Sequence, residues 1–257
     1  MQPRKILISL AIQYDGDWNS IRQAISDKSY LAEPDFIEKR AANLRCGAIT
    51  ILDENYPKQL LNLWKPPFVF FYYGDISLLN SFDNSLAVIG TREPSSEGIE
   101  ATRSIFNNIN KDIVIVSGLA AGIDAEAHRL AIEKGHKTIA VLGNGIDFCY
   151  PSINRSLYYK IRREHLVLSE YPPGTPPDRV LFPARNRIIA GLSKCILVTE
   201  ANLRSGTMIT VGLGLTIGRD ILCVPSSNLG QSGTNLCIKD GAYLVETSED
   251  INAFYRP

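Results

Sequence analysis

FPARNRIIAGLSKCILVTEANLRSGTMIT, residues 182–210, reads as helix, strand, loop and helix start. Arg185, Asn186 and Arg187 lead into the apolar run Ile188, Ile189, Ala190, which Gly191 closes. Residues 195–198 are apolar and only as long as a short strand, and a strand set between two helices is the repeat unit of a wound α/β sheet. Glu200 and Asn202 follow the strand, and Arg204-Ser205-Gly206-Thr207 opens the next helix. A helix start presents backbone N–H groups without intrahelical partners, together with the positive end of the helix dipole. With Arg185, Asn186 and Arg187 nearby, Ser205, Gly206 and Thr207 fit a phosphate site. The same residues also fit solvated surface arginines beside an ordinary serine N-cap, and the segment alone leaves both readings open.

The rhythm extends outward from this segment. FVFFYYG begins at residue 68, and strand-like runs follow at 86–90, 113–118, 138–143, 166–170, 195–200 and 221–225. Each is continuously apolar, as in strands covered on both faces. Helical stretches at 98–108, 124–134, 154–163, 184–193 and 207–218 separate them. The pattern predicts an α/β fold: an extended Rossmann-like, doubly wound, mostly parallel sheet. Ligands of such sheets sit at the carboxyl ends of the strands, which here read Gly90-Thr91-Arg92, Ser117-Gly118, Gly143-Asn144-Gly145, Glu200 and Pro225. The first 65 residues differ in character. Helices are expected at 17–25 and 34–44, a strand at 48–53, and a short helix before Pro66-Pro67. The division expected is a small helical N-terminal appendage, 1–65, and a Rossmann-like domain, 66–257.

Composition narrows the function. The chain has 257 residues, 45% of them hydrophobic, enough for a large core. ILISLAI, residues 6–12, is far shorter than the roughly 20 apolar residues of a membrane helix and reads as a core segment. Five cysteines without a C-x-x-C pair fit neither a disulfide framework nor a zinc site, and suit a reducing cytoplasm. Lys plus Arg equals Asp plus Glu at 27 each, so a polyanion would have to be met by a local patch. One candidate patch holds Arg155, Lys160, Arg162, Arg163, Arg179, Arg185 and Arg187 against Glu164, Glu170 and Asp178.

Several chemistries lack their motifs. The dinucleotide pattern G-x-G-x-x-G fails because Phe148 stands where the third glycine belongs. No G-x-x-x-x-G-K-[ST] phosphate loop and no G-x-S-x-G elbow occur. Asp124 and His128, four apart on a helix, fit an acid–base or metal pair. The favoured reading is that Asp124 caps the helix and His128 packs against a loop. Neither a metal nor a cofactor is expected.

Seven stretches in order carry a family resemblance: VIGTREPSSEG (88–98), SGLAAGIDAEAH (117–128), AVLGNGIDFCYPSIN (140–154), LSEYPPGTPP (168–177), FPARNRIIAGLS (182–193), EANLRSGTMIT (200–210) and GR (218–219). They resemble the DprA/Smf family of DNA-processing proteins over about residues 49 to 246. The resemblance implies a cytoplasmic, non-enzymatic protein with no membrane segment. It implies binding of single-stranded DNA in a basic Rossmann pocket, homodimerisation, and loading of the RecA recombinase during natural transformation. Carried onto this sequence, the expected DNA-binding residues are Gly90, Arg92, Ser117, Gly118, Arg155, Arg179, Arg185, Asn186, Arg187, Ser205, Gly206 and Thr207. Arg92 is expected at the mouth of the first strand-to-helix loop, with Arg179, Arg185 and Arg187 on the far side. Tyr150, Tyr158 and Tyr159 are either stacking platforms or packing residues. Ile238 and Leu244 are the expected dimer contacts.

The sequence also departs from the family. Pro225-Ser226-Ser227 replaces the usual Pro-Gly, and Ala121 stands where an arginine is common. The appendage is short for the helical domain of longer relatives, and no winged-helix segment follows the core. The competing expectation is a nucleotide-hydrolysing enzyme like the phosphoribohydrolases, with their P-G-G-x-G-T-x-x-E loop. Here Arg204-Ser205-Gly206-Thr207 is followed by Ile209-Thr210 in place of the catalytic glutamate, and Glu200 precedes the loop.

Overall fold

The computed structural model describes residues 2–28, 34–228 and 230–256. Three helices come first, α1 (Pro3–Gln13), α2 (Trp18–Ser26) and α3 (Pro34–Ala42). Strands β1 (Gly47–Thr50) and β2 (Val69–Gly74) follow. The wound part then runs β3 (Ser85–Ile89), α4 (Ser96–Phe106), β4 (Val114–Ser117), α5 (Ile123–Lys134), β5 (Thr138–Leu142), α6 (Arg155–Glu164), β6 (Leu166–Ser169), α7 (Leu181–Leu192), β7 (Cys195–Val198), α8 (Gly206–Thr216) and β8 (Asp220–Cys223). It closes with α9 (Gly233–Lys239), β9 (Tyr243–Leu244) and α10 (Ser248–Asn252).

All nine strands form one sheet in the order β1-β2-β6-β5-β4-β3-β7-β8-β9. The seven strands from β6 to β9 are parallel, and β2 joins β6 antiparallel, with β1 antiparallel outside it. The doubly wound expectation holds, with an antiparallel edge that the apolar runs did not distinguish. The chain winds from β3 outward to β6 and then returns to β7 on the other side of β3. The crossovers therefore leave the sheet in opposite directions between β3 and β7, which opens a crevice at their carboxyl ends.

Alternation along each strand divides the core between the two sheet faces. Ala87, Ile89, Val116, Val141, Leu168 and Ile196 pack with Ile188, Ile189 and Val211 on one face. On the other, Leu86, Val88, Ile115 and Leu197 pack with Ile105, Ile123, Leu130 and Ile251. The ILISLAI run lies in α1 and is apolar around much of its circumference. Leu7, Ile8, Leu10, Ala11 and Ile12 share a core with Phe71, Val167 and Tyr158, so α1 packs on the sheet. The short helix expected before Pro66 is a 3-10 turn at Lys58–Asn62, and its Leu60 is fully buried in the first core.

Candidate nucleic-acid interface

The crevice between β3 and β7 is held by bonds from segments far apart in sequence. Thr91 N–H donates to the Glu200 carbonyl (2.8 Å), and Ile123 N–H donates to the Thr91 carbonyl (3.1 Å). The Thr207 hydroxyl donates to the Gly90 carbonyl at 2.9 Å. Gly122, before α5, has φ +77°, and a Cβ there would stand 2.3 Å from the Thr91 carbonyl oxygen, so a side chain at 122 would displace the Arg92 loop. Glu200, the acid the hydrolase alternative would need, is occupied as a clamp: its carboxylate accepts from Ser95 N–H (2.9 Å) and the Ser95 hydroxyl (3.1 Å).

Gly90, Arg92, Arg179, Arg185, Asn186, Ser205, Gly206 and Thr207 all line this crevice. Arg92 and Arg179 are both exposed where they line it. No side chain caps the first turn of α8, because the Ser205 hydroxyl donates to the Asn202 carbonyl (2.9 Å) instead. The helix start thus keeps its N–H groups toward the cleft, as an anion site requires. Arg185 forms the floor and is only 4% exposed. Its guanidinium donates to the Val141 carbonyl (2.6 Å) and to Asn186 Oδ1 (3.1 Å). It fills the space beside Gly118, where a Cβ would fall 1.8 Å from Nη1.

Burial lowers the Arg185 pKa to about 10; nearby Asp124 opposes the shift, while the like charge of Arg92 adds to it. Burial likewise pushes the Asp124 carboxyl upward, against the pull of Arg185 and of backbone N–H groups. Asp124 is not the helix cap expected of it. Gly122 occupies that position, and Asp124 Oδ2 accepts from Gly118 N–H (3.2 Å) inside the first turn. His128 packs inward as expected, but against a strand: Nδ1 lies 2.7 Å from the Thr138 hydroxyl. Desolvation lowers its pKa to about 3, so it stays neutral. Among the described residues no cluster of three or more His, Cys, Asp or Glu is placed to hold a metal ion.

Three of the expected DNA-binding residues lie outside the cleft. Arg187 turns to the opposite side of α7, where it pairs with Glu170 (2.7 Å) and donates to the Lys65 carbonyl (3.0 Å). Residues two apart on an α-helix lie about 200° apart, so Arg185 and Arg187 cannot face one groove. The helical period alone excludes the shared groove. Ser117 is buried, with its hydroxyl donating to the Val88 carbonyl (2.7 Å), and it joins β4 to β3 beneath the cleft. Arg155 is exposed on α6, 5.8 Å from the Tyr159 ring. Of the tyrosines, Tyr158 is buried and donates to the Ile146 carbonyl (2.6 Å), whereas Tyr150 stands at the cleft. Tyr150 stacks on Phe182 at 5.6 Å, and Arg92 lies 5.6 Å over the same Phe182 ring. Phe182 was not among the candidate residues, although an aromatic side chain directly before Pro-Ala-Arg-Asn was visible in the sequence.

The second expected surface lies at the far sheet edge. Leu244 on β9 is 47% exposed, beside exposed Leu236 and Tyr243, while Ile238 is partly buried against the core. No helix among the described residues is long and apolar enough to cross a membrane.

Known proteins share this fold. DNA processing protein DprA of Streptococcus pneumoniae is 42% identical over 208 residues, 80% of this chain and 73% of that protein. A crystal structure of the Streptococcus pneumoniae protein covers 97% of this chain and 95% of its own, with TM-score 0.79 and 34% identity. A DNA processing protein A from Helicobacter pylori, described by its single-stranded DNA binding mode, covers 82% of this chain and 95% of its own, with TM-score 0.73 and 30% identity. A family model described as DNA recombination-mediator protein A matches residues 47–256, the whole sheet and every wall of the cleft, and the chain belongs to that family.

Proposed function

We propose that the chain binds single-stranded DNA in the β3–β7 cleft without sequence preference, and that it does so as a binder rather than a catalyst. In this reading residues 66–257 are the DNA-binding unit, and 1–65 are an appendage that also supplies the sheet's edge strand β1. The observation that carries this reading is the convergence of Arg92, Arg179 and Arg185 on the uncapped start of α8. Phosphate contacts of this kind supply affinity with no base readout, and the Tyr150–Phe182 stack offers an aromatic surface to unpaired bases. A flexible strand can feed phosphates to a recessed guanidinium such as Arg185, whereas a stiff duplex holds its phosphates on the outside of a wide rod. The Helicobacter pylori relative's described binding mode supports the same ligand. We further propose that the chain works in the cytoplasm as a homodimer through the α9–β9 edge. It would pass bound strands to a RecA-type recombinase in natural transformation, a role the family's description as a recombination mediator supports.

The test is a titration of fluorescent single- and double-stranded oligonucleotides at several salt concentrations, with Arg92→Ala, Arg179→Ala and the remote control Lys28→Ala. The parent should prefer single strands of any sequence, with log affinity falling by about 0.7 per neutralised phosphate for each log unit of salt. Each cleft variant should weaken all sequences alike and flatten that slope by roughly 0.7. Unchanged affinity and slope in both cleft variants would move the DNA site to another surface.

A further inference from the structure

A second basic cavity, of ≈ 670 Å³, lies between the N-terminal helices and the α/β unit. It shares no lining residue with the β3–β7 cleft. Lys39 and Arg40 reach it from α3, Arg45 from the turn after α3, and Arg162 from α6. Asp147 is the one carboxylate among the described lining residues, and its Oδ1 already accepts from Gly174 N–H at 2.9 Å. Arg162 lies over Tyr73, with Cζ 3.6 Å from the ring centroid. Arg40 donates to the Pro173 carbonyl, at 3.3 Å. Among the described residues neither Lys39 nor Arg45 makes an ion pair.

This gathering does not follow from a basic composition, because the whole chain has a formal net charge of zero. Like charges around a shared concavity repel one another, and an anion between them relieves that repulsion. Arginine's planar fork suits phosphate oxygens in particular, and three of the four cations are arginines. The volume lies within the roughly 300–1,000 Å³ of small-ligand sites. Ile12 and Leu44 add an apolar wall for a base or sugar. We propose that this cavity is a phosphate site for one nucleotide, either free in solution or at the 5′-phosphorylated end of a DNA strand. It stands independently of the cleft reading.

Isothermal titration calorimetry on the full chain at low salt tests it, with ADP and with short oligonucleotides carrying either a 5′ phosphate or a 5′ hydroxyl. ADP binding to the parent assigns a free nucleotide. A 5′ phosphate that tightens oligonucleotide binding assigns a strand end. Lys39→Glu with Arg45→Glu should weaken whichever is seen by at least about tenfold per lost charged contact. Arg92→Ala should leave it unchanged while weakening cleft binding, which separates the two sites. Lys39→Gln with Arg45→Gln, checked by thermal melting, gives the same reading should the charge reversal disturb the fold. The proposal is overturned if the parent binds no ADP and ignores the 5′ phosphate. It is also overturned if either signal survives both cavity variants, or if Arg92→Ala removes it.

Discussion

Replacing Arg185 with Met should separate the architectural part of the cleft from its exposed rim. Met keeps the apolar stem and removes the guanidinium from a site that is 4% exposed. Asp124, itself 7% exposed, then loses its nearby counter-charge. Removing one partner of a buried pair costs about 3–5 kcal/mol, and the low end applies because the two groups do not make an ion-pair contact. Loss of the charged hydrogen bond to the Val141 carbonyl, 2.6 Å in the parent, adds about 1–2 kcal/mol. The expected destabilisation is about 4–5 kcal/mol near pH 8, a large share of the roughly 5–15 kcal/mol of an ordinary domain. It should also depend on pH. The Asp124 carboxyl is already raised by burial and rises further without Arg185, so the folded state takes up a proton at higher pH than the unfolded chain. The variant therefore regains stability as pH falls toward 5. Asp124→Asn in the Arg185→Met background should restore about 2–3 kcal/mol, because the amide still accepts from Gly118 N–H without a charge to desolvate. Urea unfolding followed by circular dichroism measures all four members of this cycle. A loss below about 1 kcal/mol for Arg185→Met, or strictly additive single changes, would refute the electrostatic account.

Other outcomes follow from the same contacts. Gly118→Ala puts a Cβ 1.8 Å from Arg185 Nη1, so it should cost about 1–3 kcal/mol and weaken oligonucleotide binding without touching an exposed cleft residue; fluorescence anisotropy and a thermal melt check both. His128 titrates near 6.5 in an unfolded chain and at about 3 in the fold, so stability is lost as pH drops below the unfolded value, by about 2 kcal/mol between pH 6 and 4.5. His128→Gln should flatten the stability curve in that window, and an unchanged slope in urea melts would show that the histidine is not buried neutral. Leu244→Asp and Ile238→Asp should each give a folded monomer by light scattering; an unchanged oligomer would place the interface elsewhere.

The wound part of the sheet was legible because buried parallel strands are continuously apolar, and runs such as 138–143 and 195–200 have no other compact reading. The antiparallel placement of β2 was not, since FVFFYYG reads alike in either orientation and its direction is set by a partner nearly 100 residues away, as in Phe71 opposite Ser169. β9 has only two residues, too few for any pattern. ILISLAI carries no clear period, because a helix covered on most sides looks like a buried strand. Within the candidate cleft, the shared placement of Arg92, Arg179, Arg185 and the start of α8 was readable from their positions at strand and helix ends. Arg187 was misplaced by ignoring a period the sequence contained. The different natures of Arg185, a buried floor, and Arg179, an exposed rim, depend on packing from Gly118 and Val141, which no local pattern reports.

The bonds that close the cleft join residues 117 apart, Thr207 with Gly90, and 105 apart, Ser95 with Glu200. Closing loops of that length costs chain entropy before any local contact repays it. The helices and individual βα units can form early, but the crevice proposed to bind anions exists only once β3 and β7 have paired. A growing chain on the ribosome therefore carries no such crevice until α8 has emerged. A polyanion cannot be captured there by a half-made molecule, and binding competence arrives with the completed sheet.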